Sequence, residues 1–465
     1  MAAAQRVAPF ESRVAVGIGG ALLGFSFTVL GLLFLIAAQL DGFLVVAFLV
    51  PVLLAASWPA FTRQARRERD PTLVRLLVAA LLLKLFGSLV RYWVAVAFYD
   101  SNADAFEYHR VGVDLAMRFR AGNFDTGLPS LSGTEFISFF TGITYTITGP
   151  SIFAGFLLYS WLAFGGMFYL YRAFTIAIPD GRKRSYARLL FFMPSMLYWP
   201  SSIGKEAWML FTLGLAAFGT ARLLTGRPWR GMALAGVAMW LAAIVRAHVS
   251  GMVVLGLVVA YLFARPPRRL GALGPAVKLV ALAALLVVAV GLLGRTQSYL
   301  LEKGIDPQDG VTGVLAETGR RTSQGGSGFE APSTGASLAK LPFAAVTILF
   351  RPFLFEVHNA QAAITALEST LLLALVLARR RAIWQAVRHL RRYPYVAFIL
   401  VYSALFVVAF SSIGNFGILA RERTQLLPFF LVLLAVPGVG MRRRRSTPPI
   451  ATTSRSDHAR ELVRA

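Results

Sequence analysis

The sequence predicts an all-α, polytopic integral membrane protein of about twelve spans, and three observations lead there. Of its 465 residues, 57% are hydrophobic and only 15% charged, with a mean hydropathy of +0.64. A soluble domain carries about 25% charged and about 45–50% apolar residues, so this surplus cannot be hidden in a water-soluble fold of this size. Apolar stretches of 18 to 24 residues recur along the whole chain, longer than a buried core helix needs. The basic residues stand in short runs between those stretches, as in Arg63 to Arg69, Arg182 to Arg184 and Arg442 to Arg445. That is the placement of the positive-inside rule, so the formal charge of +25 points to anionic lipid headgroups and not to nucleic acid. With no cysteine, disulfides and thiolate metal sites are excluded.

Arg6 and Arg13 precede about 24 apolar residues with no small-x-small cleavage site behind them, so the first span, near 14–38, is expected to stay uncleaved. Further spans are expected at 43–61, 75–98, 151–172, 188–200, 206–224, 230–246, 250–264, 275–294, 359–378, 394–412 and 424–440. The stretch 188–200 is too short to cross a core of ~30 Å at ~1.5 Å per residue, and reads as a half-span paired with the next through the Pro194–Gly204 break. With the N-terminus inside, the inner segments hold 32 of the 47 Lys and Arg residues, which sets both termini in the cytoplasm. Residues 1–440 then form one transmembrane domain with outer loops 99–150 and 295–358, followed by a basic, disordered cytoplasmic tail, 441–465. In the first loop an interfacial helix is expected at 104–120, and a Gly/Thr-rich stretch, Thr134 to Gly149, re-enters the membrane. The second holds a mobile Gly/Ser tract, Thr322 to Gly328. No internal repeat of clear period appears, which argues against a transporter built from inverted halves.

Ionisable residues at membrane depth cost about 2.5–3.5 kcal/mol each on insertion scales, so each needs a reason. The span centres are nearly clean apart from Lys84, while five outer turns bring charge to one face. These hold Asp100, Asp104, Tyr108 and His109; Lys205 and Glu206; Arg246 and His248; Arg351, Glu356 and His358; and Arg421 and Arg423. Each has a plain structural alternative. A single Lys or Arg at a span end commonly snorkels to headgroups, Asp100 and Asp104 suit loop and N-cap positions, and lone histidines are commonly solvated or structural. Asp100, Asp104 and His109 leave a divalent metal open; no other cofactor is implied. Together, though, carboxylates beside several cations at one leaflet suit transfer of a sugar from a lipid carrier. The cations neutralise a carrier phosphate, a carboxylate takes the proton of an incoming hydroxyl, and apolar spans hold the tail.

These residues resemble the GT-C superfamily of polyprenyl-phosphate-dependent membrane glycosyltransferases, of the protein mannosyltransferase and aminoarabinose transferase type, with features shared by polysaccharide polymerase-like proteins. The resemblance covers about 70–440. It rests on the acidic motif Asp100 to Asp104 with Tyr108 behind it, on Pro-Ser-x-x-x-Trp-x-Ser-Ser-x-x-Lys-Glu from Pro194 to Glu206, and on Arg-x-Arg-x-x-x-x-Pro-Phe from Arg421 to Phe429. It implies that Asp100 or Asp104 is the base, that the Lys and Arg set handles the carrier phosphate, and that the partner is a polyprenyl-phosphate-linked sugar. The superfamily's acidic motif usually opens the loop after the first span, whereas here it follows the third, and its two acids stand four apart. The alternatives are a repeat-unit polymerase using the same lipid chemistry, a flippase of lipid-linked sugars, and a purely structural membrane partner. A flippase should line its path with polar residues at mid-span, and a structural partner needs no convergence of outer charges.

Overall fold

The computed structural model describes residues 43–99, 103–264, 273–302, 310–323, 338–357 and 359–437, with residues 304, 306, 328 and 329 besides. The expected span 14–38, Asp100, His358, residues 324–327 of the Gly/Ser tract and the tail from 441 lie outside them. Among the described residues there are sixteen α-helices and no strand. The first half comprises α1 (Phe43–Glu68), α2 (Thr72–Ala97), α3 (Asp104–Arg120), α4 (Gly133–Thr148), α5 (Ile152–Ala177), α6 (Lys183–Phe192), α7 (Pro194–Tyr198) and α8 (Lys205–Leu224). The second comprises α9 (Pro228–Phe263), α10 (Gly274–Glu302), α11 (Gly310–Thr322), α12 (Leu341–Phe350), α13 (Ala360–Arg388), α14 (Pro394–Phe410), α15 (Phe416–Arg423) and α16 (Leu427–Ala435).

Seven of these, α1, α2, α5, α8, α9, α10 and α13, are long and apolar enough to cross a membrane. Their outward faces carry large apolar side chains: Phe86, Trp240, Leu279 and Val287 are 59–73% exposed. Water does not tolerate so broad an apolar surface, whereas lipid does. The bundle is built around α8, which lies between α5 and α9. Glycines permit that closeness: a Cβ on Gly214 would run into the Gly166 carbonyl, and one on Gly166 into the Leu210 carbonyl. Backbones packed through small residues gain dispersion contacts along their length, the main source of helix association where lipid is the solvent.

The expected spans 230–246 and 250–264 are the two arms of α9, which leaves helical geometry at Arg246 (φ −144°, ψ 83°). The Ser250 hydroxyl donates to the Met239 carbonyl at 2.9 Å, a pair that a straight helix would hold about 16 Å apart. The chain therefore folds back at Arg246, and α9 is a helical hairpin. The expected half-span 188–200 is likewise two short helices, α6 and α7, parted at Met193, which is extended (φ −67°, ψ 125°) ahead of Pro194. This broken segment climbs beside α2: Arg184 pairs with Asp70, the Met196 carbonyl accepts from Lys84, and Tyr198 meets Arg91.

The stretch expected as a span at 424–440 holds the nine-residue α16, and every residue from Leu427 to Val436 is buried. It is a core helix, enclosed by α6 and α13, and Tyr186 and Arg379 bond its backbone carbonyls. An apolar run alone does not separate a lipid-facing helix from one buried in protein. The helix expected at 104–120 is α3, and the Thr134 to Gly149 stretch is α4, packed face to face with it through Gly112 and Gly142. From there α4 reaches down beside α5 and α8, through Thr141 on Tyr159 (2.8 Å) and through Phe136 and Phe140 edge-on to Trp208.

Candidate functional site

The site forms where α3, α8, α9 and α15 end together, away from the arginine-rich loops of the chain. The N-cap of α3 is Ala103, and no side chain caps the helix. The Asp104 carboxylate in its first turn is thus not consumed by capping; it is 67% exposed and lies 3.4 Å from Arg421 Nη1. Arg421 is carried by α15, whose start is fixed by Asn415 accepting from the Gly417 and Ile418 N–H groups. Glu206, in the first turn of α8, stands 3.1 Å from Arg421 Nε and 3.3 Å from Arg246 Nη2. The Arg421 Nε–H is not aligned on that carboxylate, so this pair is ionic and lacks a hydrogen bond. The fold-back of α9 delivers the buried Arg246, which donates to both oxygens of Glu422, with Nη2 to Oε1 at 2.8 Å. Gln425 donates to Glu422 at 2.6 Å.

In front of this network lies a cavity of about 320 Å³ lined by Arg91, Asp104, Tyr108, Ser202, Glu206 and Arg421, among others. Arg91 stacks on Tyr198 and Trp199, 4.7 and 4.8 Å from the ring centroids, and donates to the Tyr198 hydroxyl. It has no carboxylate partner among the described residues. Three carboxylates (Asp104, Glu206, Glu422) thus face three guanidinium groups (Arg91, Arg246, Arg421). Tyr108 is buried at the cavity wall, and burial, then the charges of Asp104 and Glu206, push its hydroxyl up, so it stays protonated. Beside this polar cavity runs an apolar groove of about 700 Å³ along α2, α7 and α13, with Val90, Trp93, Phe98 and Ile364 in its wall. The two spaces share Tyr99 and Trp199.

The other expected residues stand elsewhere. Lys205 donates to Thr134 at 2.8 Å and pins α4 to the start of α8. His109 turns to Tyr145 at 2.8 Å, and burial pushes its ring down toward the neutral form. His248 is packed against Phe410. Arg351 and Glu356 pair with each other, and Arg351 stacks on Phe329 and Phe416. Arg423 is wholly buried and donates to the Leu349 and Arg351 carbonyls and the Ser369 hydroxyl, holding α12 against α13. Among the described residues no three His, Asp or Glu side chains gather to hold an ion, and the set of Asp100, Asp104 and His109 includes a residue outside them.

Sequence reasoning missed Arg91, Glu422 and Glu368. Glu422 stands between two arginines that were singled out, and its acidity was the available signal. Arg91 lies inside a span beside Tyr92 and Trp93, where an unexplained charge is itself a signal. Glu368 corrects the reading of the span centres: it is 3% exposed, inside the span expected at 359–378, and accepts from the Ser195 N–H at 2.7 Å. Scanned against family models, curated proteins and solved structures, the chain finds no match in any of the three.

Proposed function

We propose that this chain is a membrane glycosyltransferase that moves a sugar from a polyprenyl-phosphate carrier to an acceptor hydroxyl at the outer face of the cytoplasmic membrane. In this reading the chain crosses the membrane an even number of times, with both termini inside. One observation carries the proposal: a polar cavity holding an exposed carboxylate and two accessible arginines adjoins an apolar groove, with Tyr99 and Trp199 in the walls of both. A ligand that fits both spaces has a charged head and a long apolar tail.

The charge balance suggests the order of events. Arg421 is shared between Asp104 at 3.4 Å and Glu206 at 3.1 Å, and Asp104 is the more solvated partner. A carrier phosphate entering between Arg91 and Arg421 replaces Asp104 at Arg421 Nη1, because two guanidinium groups hold a phosphate better than one holds a solvated carboxylate. Asp104 is then free to accept the acceptor's hydroxyl proton. The acceptor oxygen bonds the anomeric carbon, the bond from that carbon to the phosphate oxygen breaks, and the carrier phosphate leaves with the electron pair. Arg246 and Glu422 lie behind, fixing Glu206 and so the position of Arg421.

A flippase should line its path with polar residues at mid-span that are free to meet a passing headgroup. Lys84, Glu368 and Arg423 are instead bonded to backbone groups of neighbouring helices. The test is Asp104→Asn in purified protein given a polyprenyl-phosphate sugar and acceptor. Transfer should fall about 10²–10⁴-fold, the usual contribution of a general base, with normal insertion. Undiminished transfer in this variant would remove Asp104 as the base.

A further inference from the structure

A second groove, of about 400 Å³, opens at the opposite end of the molecule between α1, α5 and α8. Its mouth carries Arg63, Arg67 and Arg172, and its floor is apolar, with Trp161, Phe168 and Phe211. Arg172 lies over the Phe218 ring at 4.3 Å, and Arg222 lies over the same ring at 4.9 Å. None of Arg63, Arg67, Arg172 and Arg222 has a carboxylate partner among the described residues. At the candidate site the gathered arginines are matched by carboxylates; here several are gathered without one among the described residues, and they repel one another. From Arg172 to Trp161 the groove runs about 16 Å along α5, which is the depth of one leaflet of a core of ~30 Å. Gly165 leaves the slot open: a Cβ there would come only within 3.7 Å of the Phe211 ring.

We propose that this groove binds an anionic phospholipid, with the phosphate among Arg63, Arg67 and Arg172 and one acyl chain laid along Trp161, Phe168 and Phe211. The arginines supply the charge complement and the aromatic slot supplies the tail's surface, so a free anion meets only half of the site. The site is separate from the reaction proposed above and requires only that the apolar helices face lipid.

The experiment titrates the purified, detergent-solubilised chain with phosphatidylglycerol, phosphatidylcholine or inorganic phosphate, and reads bound lipid by native mass spectrometry and the shift in melting temperature. Phosphatidylglycerol should bind and stabilise, while phosphatidylcholine and phosphate should do so far less. Arg63→Gln with Arg67→Gln, at exposed positions on α1, should weaken phosphatidylglycerol about tenfold or more, as the loss of charge-assisted contacts implies. Arg391→Gln, which removes an exposed charge outside the groove, should leave binding unchanged. Gly165→Leu should block the tail and abolish binding; if it fails to fold, the arginine variants decide alone. Equal binding of the two lipids, equal stabilisation by phosphate, or parental affinity in the double arginine variant would each overturn the proposal.

Discussion

Arg246 lies between Glu206 and Glu422 with its side chain only 10% exposed, and the two carboxylates are equally enclosed. In such surroundings the desolvation of each charge is repaid only while all partners are present. Arg246→Ala would strand both carboxylates against a single remaining cation, Arg421. We expect a loss of about 3–5 kcal/mol of stability, the range for breaking a buried pair, seen as a lower midpoint in detergent unfolding. Arg246→Met combined with Glu422→Gln should recover much of that loss, since no buried charge is then left alone. An unfolding midpoint in Arg246→Ala equal to the parent's would show that the network does not hold the site together. At this scale the sequence was informative about residue type and less so about partnership. It pointed to Asp104, Glu206, Arg246 and Arg421 because each is a charge beside an apolar run. It could not say that Arg246 faces inward onto carboxylates while Arg91 faces the cavity, because that depends on the direction of the α9 fold-back and on the break at Pro194. His109 and Lys205 share the right end of the molecule but turn toward α4, a choice made by packing against Tyr145 and Thr134.

Several of this chain's helices break within the bundle, and each break leaves backbone groups without intrahelical partners. Water cannot reach them there, so protein must satisfy them. The buried charges meet that need. Lys84 donates to the Met196 carbonyl at 2.6 Å, Glu368 accepts from the Ser195 N–H, Arg423 caps the end of α12, and Arg379 bonds the Leu434 carbonyl at the end of α16. Buried charges of this bundle thus serve as fasteners of broken helices. Lys84→Met tests this at the element scale. Met fills a similar volume but cannot donate, so the Met196 carbonyl is left unsatisfied in the core at a cost of about 1–3 kcal/mol. Thermal unfolding should show the loss; a melting temperature at or above the parent's would mean that Lys84 is not needed by α7. Element boundaries were legible where periodicity and turn chemistry agreed, as for α3 at 104–120 and for the α9 turn. They were not legible for α15 and α16, because Leu427 to Val436 is as apolar as any lipid-facing span and is instead enclosed on every side.

The whole molecule is polarised. The helix ends and connections at one end carry Arg63 to Arg69, Arg182 to Arg188, Arg222 to Arg230 and Arg379 to Arg392, while the other end carries Asp104, Glu107 and the candidate site. Moving Lys and Arg across a bilayer during insertion is costly, so the arginine-rich end should remain in the cytoplasm and the site should face outward. The absence of cysteine makes a direct measurement simple, since any cysteine introduced is unique in the chain. Phe124, 75% exposed in the connection between α3 and α4, marks the site's end. Arg391, exposed in the connection between α13 and α14, marks the other. With a membrane-impermeant maleimide on intact cells, Phe124→Cys should label at once and Arg391→Cys only after the membrane is opened. The inverse pattern would turn the molecule over and place the Asp104 cavity on the cytoplasmic side, where a carrier loaded on the outer leaflet could not reach it. Labelling of both positions in intact cells would contradict the spanning arrangement itself. Labelling as expected would put the exposed carboxylate, the two accessible arginines and the mouth of the apolar groove at one outer leaflet, which is the placement that transfer from a lipid-borne donor requires.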